Sequence, residues 1–135
     1  MPESIQRNTL HLAKAHYLAG NYETALQMYQ QIIDENGSSP FPLRQIGCIY
    51  AHLKQEEKAK EMISQMEGLE VQRRGEIAYY QGMIFAQLGE KGKAVELLKQ
   101  AFEQGFVFDN ETYDEDFDSI PLRGYEPWEE FIRHK

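Results

Sequence analysis

The chain has 135 residues, of which 41% are hydrophobic and 27% charged, as is typical of one soluble globular domain. Its formal net charge of −8 argues against a general nucleic-acid binder, because phosphates are held by clustered Lys and Arg, and against adhesion to anionic membranes. The acidity is concentrated in the tail, since residues 109–135 carry 9 acidic and 3 basic side chains, against 13 and 11 in residues 1–108.

The termini and the cysteine content bear on the compartment. The single cysteine, Cys48, forms no internal disulfide and fits a reducing compartment. Residues 1–4 show no basic start followed by an apolar stretch, so no signal peptide is visible. No apolar run approaches the roughly 20 residues that span a bilayer. We therefore expect a cytoplasmic protein, either complete or part of a larger one.

The chain repeats itself at intervals of 34 and 35 residues. Four series share these two spacings, and their agreement in register predicts three copies of one structural unit. The series are Ala25, Ala59 and Ala94; Ala13, Gly47 and Gly82; His16, Tyr50 and Phe85; and Gly20, Lys54 and Gly89.

Each unit has the apolar spacing of two helices, with a break between them at that unit's member of the Gly20 series. In the first unit, Leu12, Ala15 and Ala19 form one helix face with His16, which we expect to be packed or hydrogen-bonded. Pro42 suits the start of the third helix, because a first-turn proline loses no helical hydrogen bond. The predicted helices span about residues 5–18, 22–35, 42–53, 56–67, 73–88 and 91–104.

The small residues of the repeat have a mechanical role. The two helices of a hairpin approach closely only where a side chain is very small, so we expect Gly47 and Gly82 to face Ala59 and Ala94. The second unit has the weaker break, because Lys54 stands where the other two units have glycine.

These residues resemble the tetratricopeptide repeat, most closely in residues 18–26 (Leu-Ala-Gly-Asn-Tyr-Glu-Thr-Ala-Leu) followed by Tyr29. Three features depart from the pattern: His16 stands in an aromatic position, Lys54 replaces the turn glycine, and the closing proline is displaced to Pro40 or absent. The resemblance implies an all-α fold, a right-handed superhelix of three hairpins over residues 5–37, 40–70 and 73–106. It also implies one domain and a non-enzymatic scaffold for protein–protein interaction.

The tail is similar to the segment that closes tetratricopeptide arrays in many bacterial multidomain proteins. An acidic stretch, Phe117, Leu122-Arg123 and a last helix starting near Pro127 follow the third hairpin. Because the last repeat of a solenoid has no neighbour to cover it, we expect residues 107–135 to cap the array with a short helix. Alternatively, Trp128 and Phe131 form an exposed docking patch.

No catalytic, metal or cofactor site is predicted. Asp114, Asp116 and Asp118 alternate like a calcium loop, but Ser119 and Tyr125 stand where that loop needs glycine and glutamate. The four histidines lack zinc-site spacing. Cys48 and His52 share a helix face, yet nothing supplies an orienting acid or an oxyanion site.

The family resemblance implies that the first helix of each unit lines a concave groove. Aromatic, Met and Arg side chains are enriched in binding surfaces, and the bases Lys14 and Arg44 suit a protein or peptide partner with a carboxylate. Tyr79 and Tyr80 are alternatively core residues. The predicted groove residues are Arg7, His11, Lys14 and Tyr17; Arg44, Gln45, Cys48 and His52; and Glu76, Tyr79, Tyr80, Met83 and Gln87.

Two further points limit the functional prediction. Chaperone-tail binding is not carried over, because the five positions that hold the chaperone carboxylate in some family members carry none of the matching residues. They are here Leu10, Lys14, Gln45, Glu76 and Tyr80. There are two alternatives to a partner-binding scaffold. One is a structural or self-association module, which would form a homo-oligomer, and the other is a regulatory appendage of a larger bacterial protein.

Overall fold

The computed structural model describes residues 3–108 and 117–134, and in these ranges every regular element is a helix. The predicted all-α fold is confirmed. The elements are α1 (Glu3–Leu18), α2 (Tyr22–Asn36), α3 (Pro40–His52), α4 (Glu56–Gln65), α5 (Glu76–Gln87), α6 (Lys91–Glu103), the 3₁₀ helix η1 (Phe117–Leu122) and α7 (Glu126–His134).

All six predicted helices of the repeats are present, with shifted ends. Helix α3 begins at Pro40 rather than Pro42, and both prolines fit because they lie in its first turn. Helix α5 begins at Glu76 rather than near residue 73, because Gly75 before it has a left-handed backbone with φ of 75°.

The helices pair as three hairpins within two compact units. Unit 1, Met1–Leu69, contains the α1/α2 and α3/α4 hairpins, and α2 also packs against α3. Unit 2, Glu70–Lys135, contains the α5/α6 hairpin, with η1 against α5 and α7 against α6. The hairpin repeat is thus confirmed, whereas its right-handed superhelical stacking stays a prediction.

One turn geometry closes the first helix of all three hairpins. In the first hairpin, the amide of Asn21 donates to the carbonyl of His16 at 2.8 Å, and the amide of Gly20 donates to the carbonyl of Tyr17 at 3.1 Å. The second and third hairpins repeat both bonds 34 and 69 residues later. A nested pair of bonds of this kind ends a helix when the first of the two donor residues along the chain has a left-handed backbone. Gly20, Lys54 and Gly89 accordingly have φ of 83°, 63° and 81°.

The predicted close approach is present in the third hairpin. A Cβ on Gly82 would lie 3.0 Å from the Leu98 side chain and 3.1 Å from the backbone oxygen of Ala94. These distances leave no comfortable space for a methyl group, so the absence of a side chain at Gly82 sets the distance between α5 and α6.

The buried face of α1 differs from the face that the sequence pattern picked out. Ala13 and Tyr17 are buried, whereas Leu12 is 53% exposed. The physical reason is that the Tyr17 ring packs towards α2, with its centroid 6.0 Å from that of Tyr22. His16 is half-buried, and its Nδ1 lies 3.3 Å from the Asn21 side-chain amide, consistent with the expected hydrogen bond.

The described part of the tail, η1 and α7, packs against the last hairpin. Leu122 of η1 and Trp128 of α7 are 0% and 2% exposed. The amide of Gln87 in α5 donates to the backbone oxygen of Asp118 at 2.6 Å, which ties η1 to α5. Trp128 is therefore part of the interior rather than of an exposed patch, and Phe131 beside it is half-buried.

Lys54 is the one described residue other than glycine with a positive φ, so replacing it tests the shared turn. We expect Lys54→Gly to raise the free energy of unfolding by about 1 kcal/mol, because glycine avoids the cost of a left-handed backbone. The matched control, Lys58→Gly inside α4, should lower it by about 1 kcal/mol. Urea titrations measure both, and a loss of stability in Lys54→Gly would contradict the strained turn.

Gly75 combines a left-handed backbone with a tight contact. A Cβ there would clash with the Ala101 backbone oxygen, whereas at Gly89 nothing lies within 4 Å. We therefore expect Gly89→Ala to cost about 1–2 kcal/mol for the backbone alone, and Gly75→Ala to cost about 1–3 kcal/mol more for the clash. Thermal unfolding monitored by circular dichroism compares them, and equal costs would show that the α5–α6 approach relaxes freely.

Candidate functional site

The predicted groove residues of α1 divide into an exposed set and a buried one. Arg7, His11 and Lys14 are exposed and follow one another at helical spacing, so they form a single stripe along the helix. Leu18 continues this stripe and is 45% exposed. Tyr17, next to the stripe on the side that faces α2, is only 1% exposed. The stripe therefore presents charge to solvent, while Tyr17 anchors the helix.

Tyr17 belongs to an aromatic cluster that joins three helices of unit 1. Its hydroxyl lies 3.4 Å from Nε2 of His52, at the end of α3. The His52 ring stacks on Tyr22, at the start of α2, with centroids 4.8 Å apart and planes 6° apart. Because the cluster holds α1 against both α2 and α3, it fixes the position of the exposed stripe.

The other groove residues predicted on α3 are buried. Arg44, Gln45 and Cys48 are 7%, 2% and 0% exposed. The Gln45 amide donates to the hydroxyl of Tyr29 at 3.3 Å, and its Oε1 has no hydrogen-bond partner in the described ranges. These side chains offer a partner almost no surface, so the fully exposed members of the predicted groove in unit 1 all lie on α1.

The predicted groove residues of α5 lie in the interior of unit 2. Tyr79, Tyr80 and Met83 are all at most 4% exposed. Tyr79 stacks on Phe106 with centroids 4.2 Å apart, and the Arg73 guanidinium donates to the Tyr80 hydroxyl at 3.2 Å. The packing of both tyrosines is that of core residues.

The two polar groove residues of α5 bond to neighbouring backbone. The Glu76 carboxylate accepts a hydrogen bond from the amide of Gln72 at 3.3 Å, and the Gln87 amide lies 3.4 Å from the Met83 carbonyl. The Glu76 bond braces the turn before α5. Gln87, through its hydrogen bond to the Asp118 backbone, holds η1 against α5. Glu76 and Gln87 therefore both stabilise the local fold.

A metal site and a membrane span would each need a particular arrangement of the described residues. Where the structure is described, no group of three or more His, Cys, Asp or Glu side chains is arranged to hold a metal ion. Of the three alternating aspartates, Asp114 and Asp116 lie outside the described residues, and Asp118 is buried in η1. No helix in residues 3–108 or 117–134 is both long and apolar enough for a membrane span.

Sequence reasoning missed Tyr22 and Leu18 as parts of this surface. The Tyr22 ring stacks on the His52 ring. In the sequence, only its place directly after the Gly20-Asn21 turn could have indicated this role. Leu18 lies four residues after Lys14 and therefore on the same stripe. That spacing could have indicated its role.

Comparison with known proteins locates the family resemblance in the first hairpin. Residues 9–39 match the family model described as the tetratricopeptide repeat, and this stretch runs from α1 through α2. A search of curated proteins and a search of solved structures returned no match. The family match and the helical hairpins together support a repeat protein of the tetratricopeptide type, a family that typically serves as a non-enzymatic scaffold.

The stacked Tyr22 and His52 rings allow a quantitative test of the aromatic cluster. In a double-mutant cycle of Tyr22→Leu and His52→Leu, we expect a coupling energy of about 0.5–1.5 kcal/mol, because stacked aromatic pairs contribute beyond their buried area. Urea unfolding of the four proteins measures it. Additivity to within about 0.3 kcal/mol would show that the rings do not support one another.

Proposed function

We propose that the chain is a scaffold that binds an acidic segment of a protein or peptide partner through the exposed stripe of α1. Tetratricopeptide repeats generally mediate protein–protein interaction, and the family match lies on the hairpin that carries this stripe. We call Arg7, His11, Lys14 and Leu18 the α1 stripe.

The single observation that carries this proposal is a basic, exposed stripe in an acidic protein. Arg7 and Lys14 project from α1, whose only acidic residue is Glu3, whereas the whole chain has a net charge of −8. A carboxylate-bearing segment would be held here by charge-assisted hydrogen bonds, with Arg7 able to form two at once.

Apolar surface at the end of the stripe would supply the rest of the binding energy. Leu18 is 45% exposed there, and Leu12, on another face of α1, is 53% exposed. Affinity in protein interfaces is dominated by a few apolar or aromatic anchors, with charges setting orientation and association rate. We therefore expect the partner segment to carry an apolar residue close to its carboxylate.

The stripe also fits the family's use of the first helix of each hairpin for the concave side. In unit 1, a hydrogen bond joins Tyr17 of α1 to His52 of α3, and Arg44, Gln45 and Cys48 of α3 are buried. Their part in the proposal is to hold α1 rigid, because a surface that is ordered before binding loses less entropy on association.

Self-association is the competing function, and the same exposed leucines favour it. Leu12 and Leu18 could pack against a second copy rather than against a different partner. Static light scattering over a range of concentrations separates the two. A constant monomer mass supports a heterologous partner, whereas a mass that rises with concentration and falls in Leu12→Ser supports a homo-oligomer. A regulatory appendage would use the same stripe within a larger assembly.

Charge reversal on the stripe tests the proposal directly. The probes are fluorescein-labelled peptides of Leu, Asp and Glu that end in a free carboxylate. We expect Arg7→Glu with Lys14→Glu to weaken binding by about tenfold, since two attractive contacts become repulsive. Fluorescence anisotropy at fixed ionic strength measures the dissociation constants.

The matched control reverses two exposed lysines elsewhere in unit 1, Lys54→Glu with Lys58→Glu. It changes the net charge by the same amount and should leave the affinity within about twofold. Equal losses in the two double variants would show that general charge, and not the stripe, attracts the peptide. Unchanged binding in Arg7→Glu with Lys14→Glu would overturn the proposal.

A further inference from the structure

A second candidate surface lies in unit 2, on helices that the α1 stripe does not involve. The end of α6 and the outer side of α7 enclose a groove of about 580 Å³. Its lining joins an apolar floor to an acidic rim. The floor is Phe102, Pro127 and Phe131, and the rim is Glu103, Glu126 and Glu130.

The floor is held in place by ring contacts. Phe102 and Phe131 meet edge to face with centroids 5.8 Å apart, and Phe108 packs behind both, at 6.2 and 5.6 Å. Trp128 lies 5.8 Å from Phe131 on the buried side. With this support, Phe102 remains 42% exposed, so the aromatic face of the groove is formed before any ligand arrives.

The rim carries negative charge that the chain leaves partly unbalanced. Glu126 pairs with Arg133 at 3.0 Å. Glu103 and Glu130 are exposed and form no ion pair or side-chain hydrogen bond within residues 3–108 and 117–134. Lys99 also lines the groove. The acidic and basic residues of the lining, three carboxylates and one ammonium, have formal charges that sum to −2.

We propose that this groove docks a basic amphipathic helix of a partner protein. The face of that helix that enters the groove would carry Leu or similar apolar residues, flanked by Lys or Arg. The apolar residues would contact Phe102 and Phe131. The stems of the basic side chains would lie along the same rings while their charged ends reach Glu103 and Glu130. The surface is separate from the α1 stripe and selects a partner of the opposite charge.

Charge decides between this occupant and a second copy of the chain. Unit 2 carries 14 acidic and 8 basic side chains, a balance of −6, and the whole chain has −8. A second copy therefore approaches against repulsion, whereas a basic helix is attracted and oriented by the same field.

The experiment uses the full chain and two synthetic peptides. One is an amphipathic peptide of Leu and Lys without Trp or Tyr, and the other replaces every Lys by Glu. Trp128 is the only tryptophan of the chain and contacts Phe131, so its fluorescence reports on the groove. We expect a saturable change with the Lys peptide and none with the Glu peptide.

Two double variants locate the binding. Glu103→Lys with Glu130→Lys should weaken binding of the Lys peptide by about tenfold, because two attractive contacts become repulsive. Glu70→Lys with Glu96→Lys changes the charge of unit 2 equally, at exposed positions outside the groove lining, and should leave the affinity within about twofold. Phe102→Ala should also weaken binding, which tests the apolar floor.

Several results would overturn the proposal. Equal losses in the two double variants would mean that the peptide follows net charge alone. The absence of saturable binding would mean that the groove takes no basic helix. Sedimentation of the chain by itself provides the remaining outcome: association that disappears in Glu103→Lys with Glu130→Lys would identify a second copy as the occupant. Arg7→Glu with Lys14→Glu should not change binding of the Lys peptide, which separates this proposal from the α1 stripe.

Discussion

Close approach of two helices at a residue without a side chain is the contact on which unit 2 depends. The Leu98 side chain and the Ala94 carbonyl of α6 occupy the space that a side chain on Gly82 would need. On α5, the side-chain amide of Gln87 also donates to the backbone oxygen of Asp118 and so holds η1. Helix α7 packs on α6. Helix α6, which lines the groove together with α7, is thus positioned by its close packing on α5.

The local features of the fold were predictable because local residues determine them. A left-handed residue after a helix lets two amides bond back to the last turn, so Gly20 and Gly89 mark the hairpin turns in the sequence. Lys54 shows that the repeat register carries information beyond residue type. It adopts the same backbone, with φ of 63°, although glycine is absent there. The helix ends, by contrast, shifted at Pro40 and Gly75, where the prolines and the glycine each permitted more than one boundary.

The candidate sites were less predictable, because they depend on which helix face the neighbours cover. Spacing placed Leu12, Ala15 and Ala19 on one face, but the packing of Tyr17 on Tyr22 buries a different one. A polar residue such as Gln45 gave no indication that it would be buried. The α6/α7 groove brings Phe102 next to Phe131, 29 residues later in the chain. Helical periodicity relates residues within one helix and cannot indicate a contact between two helices so far apart in sequence.

The division between buried and exposed charge has a consequence for how the chain can acquire binding specificity. Arg44 is 7% exposed, so a change there removes a buried charge from its surroundings and acts first on stability. Arg7, Lys14, Glu103 and Glu130 are exposed. Their charges therefore can change at little cost to the fold, since surface ion pairs contribute about 1 kcal/mol or less. In α1, α6 and α7, the buried faces therefore fix the geometry of the fold, whereas the exposed charged positions can change without unfolding it.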